Sequence, residues 1–124
     1  MRPAVFTFYS YKGGVGRTVL AANMALALAR RGKTLIWDLD VEAPGLHRIT
    51  ALQGTGEIKA GFFDWLLAWQ SDKLRQPDQA SLEQFAQLLR QTPFANLTLL
   101  PAHGEQQNSL ALYYRIMSAL QRNC

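Results

Sequence analysis

The chain has 124 residues, 48% of them hydrophobic and 18% charged, with a formal net charge of +4; that is enough for one hydrophobic core and excludes both a disordered segment and two substantial domains. Its basic side chains, from Arg17, Arg30, Arg31 and Lys33 through Arg48 and Arg90 to Arg115 and Arg122, are scattered without a dense block, so charge alone does not point to nucleic acid. No apolar run approaches the roughly 20 residues of a membrane span, no leader pattern precedes Phe6, and the one cysteine, Cys124, leaves no intrachain disulfide; a cytoplasmic protein is expected.

Ala4 to Ser10 is a β-branched and aromatic run that predicts a buried strand. Gly13, Gly14 and Gly16 end it, and a helix is expected from Arg17 to about Arg31. Leu20, Met24 and Leu28 recur at helical spacing among alanines, and Gly32 is placed to cap the end. Thr34 to Trp37 predicts a second strand that runs into Asp38-Leu39-Asp40. Strand, glycine loop, helix and strand make a βαβ unit with parallel strands.

Pro44-Gly45 breaks regular structure, and residues 51–59 read as a loop. Phe62 to Trp69 is a short, nearly all-apolar helix, suited either to the core or to a partner-facing patch. Residues 71–79 form a polar link. Ser81 and Gln84 resemble a capping box, with Leu82, Phe85, Leu88 and Leu89 as the stripe behind it. Leu97 to Leu100 is a third strand candidate, 104–109 a polar loop, and Leu112, Ile116 and Leu120 mark a final helix to about Gln121.

The chemistry concentrates in Tyr11-Lys12-Gly13-Gly14-Val15-Gly16-Arg17-Thr18. Phosphate oxygens need several donors converging on a small volume, which successive backbone N–H groups at a strand-to-helix turn supply. Close approach demands residues without Cβ, a place Gly13, Gly14 and Gly16 fill. Arg17 can reach outer phosphates, and the Thr18 hydroxyl is a natural Mg²⁺ ligand. Three glycines can also mark a plain tight turn, but this cluster is followed by a charge, a hydroxyl and an amphipathic helix.

Asp38 and Asp40 sit where the carboxyl ends of parallel strands gather ligands. Alternation puts both on one side of an extended chain, able to share one Mg²⁺–water cluster. Glu42 either joins them or is ordinary loop polarity, while His47 and His103 have no obvious partner in the sequence and read as structural.

On Lys12-Gly13-Gly14-Val15-Gly16-Arg17-Thr18, the Ala-rich helix with Asn23, and Leu35-Ile36-Trp37-Asp38-Leu39-Asp40, the chain resembles the deviant Walker A ATPases of the ParA and MinD type. Asp40-Val41-Glu42-Ala43-Pro44-Gly45-Leu46 is similar to one bacterial branch of that group. The resemblance implies an α/β fold, a three-layer α/β/α P-loop domain with a parallel sheet, of which residues 1–124 would be the N-terminal portion. In the family, a strand carrying a second acidic motif lies between the phosphate-loop strand and the Asp38 strand, and no run ending in aspartate supplies it here. Other domains or a partner chain would then complete the sheet.

The resemblance also implies ATP with Mg²⁺, a nucleotide-sandwich homodimer in which Lys12 reaches the nucleotide of the opposing subunit, and Thr18 as metal ligand. Asp40 resembles the residue that positions the attacking water, with Asp38 supporting the metal shell. Arg17 departs from the family's usual lysine, which bears on rate more than on binding. Three functions follow: an ATPase acting as a dimer switch, a nucleotide-sensing module with little hydrolysis, or a protein-tyrosine kinase with Tyr113 and Tyr114 as the tyrosines on offer.

Overall fold

The computed structural model describes residues 2–9, 16–71 and 78–122, with only the backbone of Gln70 and Ser71. Its elements are α1 (Arg17–Ala29), β1 (Thr34–Trp37), two 3-10 turns (Leu46–Arg48 and Thr50–Leu52), α2 (Phe62–Ser71), α3 (Gln79–Ala86), β2 (Arg90–Gln91), β3 (Leu97–Leu100) and α4 (Ser109–Arg122).

The sheet order is β1-β3-β2. β1 and β3 pair in parallel from Thr34 opposite Leu97 to Trp37 opposite Leu100, and the ladder is extended at either end by Thr34 N donating to Asn96 O (2.7 Å) and Asp38 N to Leu100 O (3.0 Å). β2 departs from the expected all-parallel sheet by pairing antiparallel with β3. Only five residues separate β2 from β3, and so short a link joins neighbouring strands only in hairpin fashion. Thr92 closes it, its N and Oγ1 both donating to Leu97 O, while Asn96 takes a left-handed φ of 65°.

Residues 2–9 correct the first strand expectation. They form no regular structure, and Val5, Phe6 and Tyr9 are exposed. Apolar alternation suits a run to a sheet, but a strand exists only through ladder partners, and none of the described strands pairs with this one. The βαβ unit is therefore not assembled among the described residues. The parallel pair is instead β1 with β3.

α1 also buries a different face from the one its large residues suggested. Ala22, Ala25 and Ala29 are buried, Met24 and Leu28 half-buried, and Leu20 exposed. Small side chains let the helix backbone approach the sheet closely, and these alanines join Ile36, Leu46, Leu52, Leu97 and Leu99 in one core cluster. The helix stops at Ala29, where the N–H groups of Arg31 and Gly32 both donate to Leu28 O. Gly32 thus closes the turn, without a left-handed φ.

On the opposite face of β1, Trp37 meets Phe62 of α2 edge-on at 4.6 Å. Phe62, Trp65, Trp69 and Phe85 continue as an aromatic seam between α2 and α3, pinned by Trp65 Nε1 donating to Ser81 O (3.0 Å). These rings are half-buried, so α2 is a packing element with one side still reachable. The capping box at Ser81 is not formed: Asp78 is the N-cap of α3 and accepts from Ser81 N at 2.8 Å. A helix begun three residues earlier also ends earlier, at Ala86, so Leu88 and Leu89 lie beyond it and Leu82 is exposed. α4 buries Leu112, Ile116 and Ala119 and leaves Leu120 exposed.

One further joint positions the site. Phe62 N and Phe63 N donate to Pro101 O and Ala102 O, and Glu105 N donates to Ile58 O, all at 2.8 Å. Backbones this close leave no room for side chains, and a Cβ on Gly61 would strike the main chain of Pro101 to His103. Asp64 locks the joint by accepting from Gly61 N (2.8 Å), Gly104 N (2.8 Å) and Gln107 Nε2 (2.7 Å).

Candidate functional site

Of the glycine loop, Lys12, Gly13, Gly14 and Val15 lie outside the described residues; Gly16, Arg17 and Thr18 lie within them. Gly16 is the N-cap of α1 with φ 78°, a left-handed conformation that side-chain-bearing residues take at a cost. Among the described residues no side chain caps this helix end, and its first turn holds no acidic residue. A helix N-terminus presents the positive end of the helix dipole, toward which anions are drawn.

Arg17, the first helical residue, turns to the end of β1. Its Nη2 donates to Asp40 Oδ2 at 2.9 Å, with both side chains about one-third exposed. Asp40 Oδ1 accepts from Ala43 N (3.1 Å). Asp38 is only 4% exposed; its Oδ1 accepts from Asp40 N (3.0 Å) and its Oδ2 from Leu46 N (3.3 Å). Burial pushes the Asp38 carboxyl above its ordinary range, helped by the neighbouring Asp40 charge, while N–H bonds from Asp40, Leu46 and Gly45 pull it back. The Thr18 methyl lies 3.6 Å from where a Cβ on Gly45 would stand, which seats Thr18 beside the Asp38 loop.

The structure therefore brings Arg17, Asp40 and Asp38 together and sets Thr18 next to the loop they hold. The direct Arg17–Asp40 pair was not legible beforehand, because 23 residues separate the two and only the packing of α1 on β1 joins them. A divalent cation fits the donor set. Asp38 keeps lone pairs on both oxygens beyond the N–H bonds described, and a buried carboxylate raised by its acidic neighbour is relieved by positive charge. Among the described residues no three His, Cys, Asp or Glu side chains form a metal-holding group. Such an ion would accordingly rest on hydroxyl, phosphate and water oxygens as much as on carboxylate, as Mg²⁺ does.

Beyond the carboxyl ends of β1 and β3 lies a cleft of about 640 Å³, between residues 42–48 and 103–109. Glu42, which the sequence left open, lines this cleft and is exposed. His47 lines it too; burial and the Arg48 charge hold its imidazole below the ordinary value, against the opposing pull of Asp38 and Glu105. His103 is not the partnerless residue the sequence suggested. Its ring contacts Gly104 O through Nδ1 (2.7 Å) and Ser109 Oγ through Nε2 (2.9 Å). The only signal for this in the sequence was the spacing of six residues across a polar loop that starts a helix.

The model of the CbiA family, the CobQ/CobB/MinD/ParA nucleotide binding domain, matches residues 6–123. Among solved structures, one titled the crystal structure of the chimerical protein CapA2B2 superposes with a TM-score of 0.51 at 24% identity, covering 90% of this chain and 44% of that chain. At that identity the likeness concerns the fold alone, and the present chain spans less than half the length of that neighbour. No curated protein matches the chain. Among the described residues, no helix is long and apolar enough to cross a membrane. With the glycine-led start of α1 meeting Asp40 beyond the end of β1, and a family match from Phe6 to Asn123, this chain belongs to the CobQ/CobB/MinD/ParA family of nucleotide-binding domains.

Proposed function

We propose that this chain is the N-terminal portion of a cytoplasmic, Mg²⁺-dependent ATPase domain that works as a nucleotide-driven dimer switch. The observation that carries the reading is the meeting of Arg17, at the start of α1, with Asp40 at 2.9 Å, above a buried Asp38. Donors for phosphate oxygens and acceptors for a hydrated cation thereby lie side by side. In this reading Gly13, Gly14, Val15 and Gly16 cradle the phosphates, Arg17 and Lys12 compensate their charge, and Lys12 reaches across to the nucleotide of a second subunit. Thr18 supplies a hydroxyl to the metal and Asp38 steadies its water shell, while Asp40 orients the attacking water. Mg²⁺ would supply charge neutralisation at the outer phosphates.

The reading includes a three-layer α/β/α sandwich around a sheet larger than the three strands described. Support comes from β1 standing at the edge of the described sheet, from the exposed Leu35, Trp37 and Leu39 along it, and from residues 2–9, which pair with no described strand. A strand supplied by another segment or by a partner chain would pair both.

A second reading, a nucleotide sensor with little hydrolysis, is favoured by the same ion pair. The Arg17 contact takes up one oxygen of Asp40 and draws the guanidinium toward the carboxylate, so both groups are less available to water and phosphate while the pair is intact, and slower turnover follows unless nucleotide separates them. The test is ATP binding, turnover and dimerisation in the full-length protein and its Lys12→Ala and Asp40→Ala variants. The switch reading expects binding in the wild type, dimerisation lost in Lys12→Ala and turnover lost in Asp40→Ala. Binding with no turnover in the wild type selects the sensor, and no ATP binding ends both.

A further inference from the structure

We propose that Ser109 is a nucleophile activated by His103, opening on the 640 Å³ cleft and taking the acyl group of a small ester. The assignment is independent of the nucleotide reading: it uses none of the residues placed there and stands on its own geometry.

The proton positions follow from the partners. Gly104 O can only accept, so Nδ1 of His103 carries the hydrogen in their 2.7 Å contact. In the neutral ring, Nε2 is then the bare nitrogen, and the Ser109 hydroxyl donates to it at 2.9 Å. A hydroxyl, a base within hydrogen-bond reach and a third group fixing the base's tautomer make up the working arrangement of an activated serine. Here the third group is a carbonyl, and it is held firmly. Gly104 N donates to Asp64, its carbonyl also accepts from Gln107 N (3.1 Å), and a Cβ at Gly104 would collide with Lys59 O. Asp64 is thus a positioning residue. His103 is buried and Ser109 half-exposed, and both line the cleft.

The cleft also indicates the class of substrate. Among the described residues, its ionic lining is two carboxylates, Glu42 and Glu105, against one guanidinium, Arg48. Such a lining disfavours phosphate esters and suits neutral or amine-bearing acyl esters of modest size. In the step itself, Ser109 Oγ bonds to the ester carbonyl carbon and its proton passes to His103 Nε2. The C–O bond to the alcohol breaks, and the alcohol departs with that proton. Water then releases the acid by the same route.

The test is labelling of the full-length folded protein with a fluorophosphonate, in which Oγ–P forms, P–F breaks and His103 takes the proton, read by peptide mass analysis. Ser109 is expected to be modified in folded protein and not in urea-unfolded protein, with p-nitrophenyl acetate hydrolysis lost on labelling. In His103→Asn, where the side-chain amide can still donate to Gly104 O but Nε2 is gone, labelling slows at least tenfold with the melting temperature retained. An unlabelled Ser109 in folded wild type overturns the proposal, whatever the variant does. So does labelling at an equal rate in unfolded protein or in a folded His103→Asn.

Discussion

Two stretches of this chain carry the composition of a buried strand, and only one of them is buried. Leu97, Leu99 and Leu100 of β3 are each 0% exposed, between β1 on one side and β2 on the other. Val5 and Tyr9, in a run at least as β-branched and aromatic, are 87% and 80% exposed. Local preference is therefore similar, and the outcome is set by neighbours. β3 satisfies its donors and acceptors on both edges and has α1 against one face, while residues 2–9 find no described strand to pair with. A strand is a property of the sheet before it is a property of its own residues.

That contrast can be broken or sharpened by substitution in the full-length protein, read by urea and thermal unfolding. Leu99→Ala removes a side chain from the centre of the core cluster and is expected to cost about 2–5 kcal/mol. Asp38→Asn should cost about 1–3 kcal/mol, because the amide NH₂ would face one of the two N–H donors that Asp38 now accepts.

The same variant tests the pH sign. Burial raises the Asp38 carboxyl in the folded state, so the native protein holds that proton more tightly than the unfolded chain. Its share of stability is fully present below the ordinary carboxylate value and is lost as pH rises through the raised folded one. Wild type minus Asp38→Asn should show that decline over the window; a flat difference would remove the burial argument.

If nothing beyond the described residues covers them, Leu35→Thr, on the exposed face of β1, costs less than about 1 kcal/mol and Phe6→Ser less than about 0.5 kcal/mol; the completed sheet proposed above expects more at both. Losses at these two positions as large as that of Leu99→Ala would show that another element covers them in the intact protein. They would then count as evidence for the completed sheet.

What was legible follows the same line. Asp38 and Asp40 could be named as candidates because a short apolar strand ending in two alternating carboxylates is a local pattern, and Gly16-Arg17-Thr18 because a glycine-led helix start is another. α1, β1, β3 and α4 were recognisable for the same reason. Missed were the features set by distant residues: the alanine face of α1, chosen by how near the sheet lies; Asp78 overriding Ser81 as a cap; and the hairpin that makes β2 antiparallel. The Arg17–Asp40 pair and the His103–Ser109 contact belong with these, since each depends on where two loops are carried.

By itself the amino-acid order determined where helices and strands can form and which atoms could bind phosphate or metal, since both depend on residues within a turn or two of each other. Only the tertiary structure decided which apolar run became a strand, which face of α1 turned inward, and which charges met. Those outcomes depend on ladder partners and close approach between segments tens of residues apart, and no local preference encodes them.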